Sequence, residues 1–323
     1  MRKPIHEFMK FTDLRDMLEK SGELYGDKPA YVFKTEEEGK FRKITHKEVR
    51  DDIKALGTKL VNMGLKDKRV AVISENRYEW GIVYLAVVTG VGIIVPLDKS
   101  LPENEIESLI DRSGVEAIFY SEKYDDIMDK IKYKKNTKVK YFISMDLEKE
   151  KNDIYSEHEL IKQGKELLEA GNREFLDAKI DAENMAIMLF TSGTTAMSKA
   201  VMLSHKNICA NLMDITSVLR IYDTDRFLSF LPLHHTFECT TGFLYPLSRG
   251  SSIAFCEGIR HIADNLKEYK ASVMVSVPIL FEGMYKKVMK TIEKKGKLKT
   301  VQKGIKISQF LLKFGIDIRK KLF

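Results

Sequence analysis

Val70-Ala71-Val72-Ile73, then Trp80 to Val88, then Ile93-Ile94-Val95-Pro96-Leu97 is the stretch that decides the fold. The first run is short, apolar and β-branched, as a buried strand requires. A helix follows through about Val88, and Ile93 to Val95 is strand again. Trp80 to Leu97 carries no charge and approaches the length of a membrane span. Thr89-Gly90-Val91-Gly92 interrupts it, so a buried helix, a turn and a buried strand explain it better than a bilayer crossing.

The same rhythm extends to both sides. Upstream, Thr45-His46-Lys47-Glu48 is a capping box, and Val49, Ile53, Leu56 and Leu60 recur at helical spacing until Gly64. Downstream, Leu101-Pro102-Glu103 opens a helix, Gly114 stops it, and Val115 to Tyr120 is the next strand. Glu148 to Asp181 is charged and strand-poor, with one helix expected around Glu159 to Ala170. Strands are expected again at Ala186 to Phe190, Phe227 to Leu231, Ser252 to Phe255 and Ser272 to Val277, with helices from Ser204 and from Pro278. Strand–helix–strand repetition of this kind predicts an α/β fold of two adjacent, doubly wound, mainly parallel sheets flanked by helices. The expected division is residues 1–175, including the charged bridge, and residues 176–323.

Lys and Arg number 54 against 47 Asp and Glu, a formal charge of +7 that favours anionic small molecules. The bases are interspersed with acids, so no nucleic-acid partner is expected. The densest run, Lys286 to Lys299, reads as a solvated helix face with its connecting loop. Peripheral contact with an acidic membrane and the oligomeric state stay open. Three cysteines (Cys209, Cys239, Cys256) without C-x-x-C spacing point to a reducing, cytoplasmic setting, and no signal peptide is expected at the amino terminus.

One loop carries the chemistry. Thr191-Ser192-Gly193-Thr194-Thr195-Ala196-Met197-Ser198-Lys199 follows an apolar strand and holds five hydroxyls, one glycine and a lysine. Small residues let backbone N–H groups approach phosphate oxygens, hydroxyls add donors, and Lys199 adds a compact positive charge. Read as G-x-x-x-x-G-K, it has Ser198 in place of the second glycine and Ala200 after the lysine, so it is no Walker loop. Taken alone, it could equally be a polar turn.

Further on, Leu231-Pro232-Leu233-His234-His235-Thr236-Phe237-Glu238 follows another strand. With this segment the chain resembles the adenylate-forming superfamily of acyl-CoA synthetases, beetle luciferases and peptide-synthetase adenylation domains. That family has a Thr-Ser-Gly-Thr-Thr phosphate loop running into Lys-Gly-Val, then Leu-Pro-Leu-x-His. Here these are Thr191–Thr195 with Lys199-Ala200-Val201, and Leu231–Leu233 with His235. Tyr25–Ala30, Asn76–Trp80, Val95–Leu97 and Ser204–Asn207 look like further family landmarks in family order. Val277-Pro278-Ile279-Leu280-Phe281 is similar to the long-chain fatty acyl branch.

The resemblance implies attack of a carboxylate on the α-phosphorus of ATP, with Mg²⁺, and then acyl transfer to CoA. The partners it implies are the small molecules ATP, a fatty acid and CoA. Thr191, Ser192, Gly193, Thr194, Thr195 and Lys199 would hold the outer phosphates, and His235 would line the junction of acyl carboxylate and α-phosphate. From spacing alone His235 could as well be a packed histidine. A metal site of His234, His235 and Glu238 is disfavoured, because adjacent histidines point apart and no third ligand suggests itself. The family's Tyr-Gly-x-Thr-Glu segment, ribose-binding Asp and adenylation lysine are not in this sequence. No metal ligand is therefore expected in this chain, which reads as the amino-terminal part of such an enzyme with little turnover of its own. Where the family usually has Gly, Pro and Gly, this chain has Ala196, Ser198 and Ala200. A positive φ at alanine would cost on the order of 1–3 kcal/mol, and the loop is expected to be mobile without ligand.

Overall fold

The structure is a computed structural model that describes residues 9–35, 37, 39–191 and 198–316. Its strands are β1 (Pro29–Lys34), β2 (Phe41–Thr45), β3 (Lys68–Ile73), β4 (Gly92–Pro96), β5 (Ala117–Tyr120) and β6 (Tyr141–Ser144). They continue with β7 (Tyr155–Ser156), β8 (Met185–Thr191), β9 (Lys199–Ser204), β10 (Arg226–Ser229) and β11 (Ser252–Phe255). The helices are α1 (Leu14–Tyr25), α2 (His46–Asn62), α3 (Tyr78–Ala86), α4 (Glu103–Ser113), α5 (Asp125–Lys132), α6 (Glu157–Glu169) and α7 (His205–Val218). After them come α8 (Thr236–Glu238), α9 (Tyr245–Ser248), α10 (Ile262–Glu268), α11 (Pro278–Lys294) and α12 (Leu298–Leu312).

A seven-stranded sheet runs β7-β6-β5-β3-β4-β8-β9. Its pairings are parallel except for β9, which returns antiparallel to β8. A four-stranded sheet runs β10-β11-β1-β2, with only β2 antiparallel. The α/β class and the mainly parallel pairing are as the sequence predicts. The sheets, however, are not divided at residues 175–185. β8 and β9 lie beyond that point and extend the first sheet, while β1 and β2 belong with β10 and β11. The physical reason is long-range pairing: β1 finds its parallel partner in β11, with Tyr31 opposite Ile253.

The local expectations are met where caps decide them. Thr45 and Glu48 form the capping box that opens α2, and Gly114, at φ +64°, closes α4 in the left-handed region that glycine enters without cost. Trp80 to Leu97 is buried as α3, a π-turn over Val87–Val91, and β4. No helix among the described residues is long and apolar enough to cross a membrane. Other strand readings differ. The Ser272–Val277 run makes only a single bridge, Val273 against Phe227, and β1, β2, β6, β7 and β9 appear where no strand was expected.

Residues 1–275 form one compact unit and residues 276–323 a second. The buried apolar clusters belong to the first, built around α2, α3 and the faces of both sheets. In the second, α11 and α12 expose their lysines from Lys286 to Lys299, as the charge pattern predicts, and bury no apolar side chain.

Candidate active site

In the seven-stranded sheet, chain order reverses between β3 and β4: β5, β6 and β7 follow on one side, β8 and β9 on the other. Open α/β sheets take ligands at the carboxyl ends of their strands beside such a reversal. Asn76 follows β3 there, Asp98 follows β4, and Thr191 is the last residue of β8. The phosphate-loop residues Ser192, Gly193, Thr194 and Thr195, and the expected mobility of that loop, lie outside the described residues. Its two ends are described. Thr191 stands opposite Lys199 in the β8–β9 ladder, and both side chains are exposed. Thr191 and Lys199 are thus facing ends of an antiparallel strand pair, with the lysine across from the segment's first hydroxyl.

Arg112, in the last turn of α4, donates from Nη2 to the Ser198 carbonyl at 2.6 Å and lies 5.5 Å from the Phe190 ring centroid. It braces the exit of the loop; sequence reasoning missed it, since a basic residue ending a helix is ordinary. Ala200 pairs with Phe190 as regular strand, and neither it nor Ser198 has positive φ. A glycine is not needed at either place.

The second segment follows β10. His235 is the N-cap of α8 and is exposed. Its Nδ1 accepts the Phe237 N–H at 3.2 Å, which places the neutral ring's proton on Nε2, where no described residue accepts it. That is the form a histidine needs to bond an oxyanion. His234 is mostly buried, with Nε2 3.3 Å from Asp98 Oδ1. Burial pushes its pKa down, and Asp98 opposes that shift. Glu238, 1% exposed, accepts from Ser229 Oγ at 2.6 Å. Burial pushes its carboxyl up to about 7.

His234 and Glu238 therefore face different partners. Among the described residues no cluster of three or more His, Cys, Asp or Glu could hold a metal ion.

An apolar cavity beside the second segment is lined by Ile187 and Leu189 of β8, Leu203 of β9, and Leu233, His234 and Thr236, without Thr191, Lys199 or His235. At about 10 Å³ it has room for at most one water. A cleft of about 1060 Å³ between β2, α2 and α6 includes no residue of either segment. Its walls carry five carboxylates and five Lys or Arg, so it offers no net charge to a polyphosphate.

A family profile described as "AMP-binding enzyme" matches residues 18–314. The fatty acyl-CoA synthetase B of Dictyostelium discoideum is 27% identical over 298 residues, covering 87% of this chain and 43% of that protein. A chloroplastic long-chain-fatty-acid–[acyl-carrier-protein] ligase of Arabidopsis thaliana, AEE15, is 26% identical over 291 residues, covering 86% of this chain and 39% of that protein. Among solved structures, a long-chain-fatty-acid–CoA ligase from Archaeoglobus fulgidus superposes with a TM-score of 0.73 at 19% identity. That superposition covers 91% of this chain and 56% of the other and carries the fold. The chain spans about two fifths of the length of these curated relatives.

Proposed function

Because the chain belongs to the AMP-binding enzyme family, we propose that it is the phosphate-holding part of an acid–thiol ligase that activates a fatty acid with ATP. The carboxylate oxygen attacks the α-phosphorus, pyrophosphate leaves, and an acyl-adenylate forms. A thiol sulfur, that of CoA, then attacks the acyl carbon and AMP leaves. The acid is a weak nucleophile meeting an anion, so rate comes from positioning and from charge on the phosphates.

Thr191, Ser192, Gly193, Thr194, Thr195 and Lys199 hold the outer phosphates. His235, with its proton on Nε2, donates to the oxygens at the acyl–phosphate junction. The observation that supports this reading is position: Thr191 ends β8 and Asn76 follows β3 at the carboxyl ends of parallel strands beside the reversal, and Asn76 bonds the Leu231 carbonyl of the segment that leads to His235. No step is assigned to Mg²⁺. Three free cysteines agree with a cytoplasmic setting.

A second reading is a non-catalytic nucleotide- or acyl-binding module, or a subunit completed by another chain. Acid-dependent ATP–pyrophosphate exchange decides, measured on the 323-residue chain and on one extended by a relative's downstream part. Exchange by the extended chain alone supports the ligase with its contacts divided along the sequence. Robust exchange by the short chain would show that its active site is already complete. Exchange by neither would favour the binding module.

A further inference from the structure

We propose that Asn76 is the positioning residue of the segment that presents His235, with the buried Ser229–Glu238 pair holding that segment from its other side. Its effect on turnover rests on the function proposed above; the geometry does not.

Pro232 has no N–H, so the Leu231–Leu233 stretch cannot pair as a regular strand. A side chain replaces the missing partner. Asn76 Nδ2 donates to the Leu231 carbonyl at 2.6 Å, and its Oδ1 accepts the Leu233 N–H at 3.3 Å. Donor and acceptor sit on one planar group, which fixes both ends of the proline-containing stretch at once. Aspartate has no donor for the carbonyl, and alanine leaves both backbone groups unpaired. Asn76 follows the seven-stranded sheet's β3, while Leu231 follows β10 of the other sheet. One carboxamide thus ties the carboxyl ends of both sheets at the site.

The second hydrogen on Nδ2 goes to Ser229 Oγ at 3.2 Å. Ser229 therefore accepts from Asn76 and spends its own proton on Glu238 Oε1 at 2.6 Å. The chain of donors runs in one direction, Asn76 to Ser229 to Glu238. Glu238 lies three residues after His235, buried, and its Oε2 has no partner. Gly242 makes the room: a Cβ there would stand 2.5 Å from the Glu238 carboxyl carbon. Between these two holds, Asn76 before and Glu238 after, the His235 backbone donates to Pro232 and accepts from Cys239, each at 3.0 Å. Neither Asn76 nor Glu238 is given a catalytic role. Each acts through the backbone that sets where His235 points.

The test is histidine-selective NMR on the full chain, comparing the wild type with Asn76→Ala and Asn76→Asp. In the wild type the His235 ring should show the nitrogen shifts of the Nε2–H tautomer. In both variants that pattern should average toward a tautomer mixture, while buried His46 and His205 keep their signals and report the fold intact. An unchanged His235 tautomer in folded Asn76→Ala and Asn76→Asp would overturn the proposal. Should Asn76→Ala fail to fold, Glu238→Ala and Glu238→Gln decide. Glu238→Gln keeps an acceptor for Ser229 and should preserve the wild-type pattern, whereas Glu238→Ala should lose it; identical spectra for these two would equally overturn it. In the extended protein, Asn76→Ala should lower kcat for exchange on the order of 10–100-fold with the KM for ATP little changed. Absence of exchange in the wild type would remove the proposed function and leave the NMR result to decide Asn76.

Discussion

His235 and Lys199 differ in how firmly the protein holds them. His235 is an N-cap with its Nδ1 engaged, whereas Lys199 is an exposed residue at the start of an edge strand. In a protein competent for exchange, His235→Ala removes a preorganised donor and should cost about 2.7–4 kcal/mol in the transition state. Lys199→Ala should also reduce exchange, and its effect should shrink as salt rises, because an exposed charge is screened. Exchange rates at two ionic strengths separate the two behaviours. Glu238 supplies a third residue-level expectation. Burial raises its folded-state value from 4.5 to about 7, and the Ser229 hydrogen bond opposes that shift. Between these values the folded chain retains a proton that the unfolded chain has lost. Stability should therefore fall by about 3 kcal/mol as pH rises from 4.5 to 7. Urea titrations across that range should show the decline in the wild type and lose that component in Glu238→Gln.

At the scale of elements, Arg15 of α1 joins three pieces of chain. It donates from Nε to the Thr89 carbonyl at 2.8 Å, from Nη1 to Leu176 and Ala178 at 3.1 and 2.7 Å, and from Nη2 to Phe175 at 2.9 Å. The Phe175 ring lies 5.4 Å below the guanidinium. Arg15→Ala strips carbonyls of their donor and should cost about 3 kcal/mol, read from the urea midpoint. Nothing in the sequence around Arg15 announces this, because its partners lie 74 to 163 residues away. The same contrast runs through the fold. The capping box of α2, the glycine stop of α4 and the buried α3–β4 passage are local and were legible. β9 was not: its first four residues are exposed, so no alternation of apolar and polar positions marks it as strand. Ser272–Val277 had the alternation but finds only Phe227 to pair with. Of the site, Thr191, Lys199 and His235 were singled out through the family resemblance, since by residue type alone the loop could be a polar turn and His235 a packed histidine. Asn76 stood out only as part of a landmark, and its role needed the reversal between β3 and β4 to be known. Arg112 and Ser229 carried no signal of their own.

For the whole molecule, both sheets and the apolar clusters lie within residues 1–275. A chain ending at Val275 should therefore retain cooperative unfolding with a midpoint near that of the full chain, as circular dichroism melts would show. A non-cooperative melt would place part of the core's support in α11 and α12. The order of strands in the smaller sheet has a further consequence, for synthesis. The β1–β2 hairpin leaves the ribosome early, but its parallel neighbour β11 ends at Phe255. The apolar face of β1, with Tyr31 buried in the finished protein, must wait while more than half of the chain is translated. At about 5–20 residues per second, that is an exposure on the order of ten seconds or more. This early hairpin is therefore where the nascent chain most needs a chaperone, and where slowed translation should cost soluble yield.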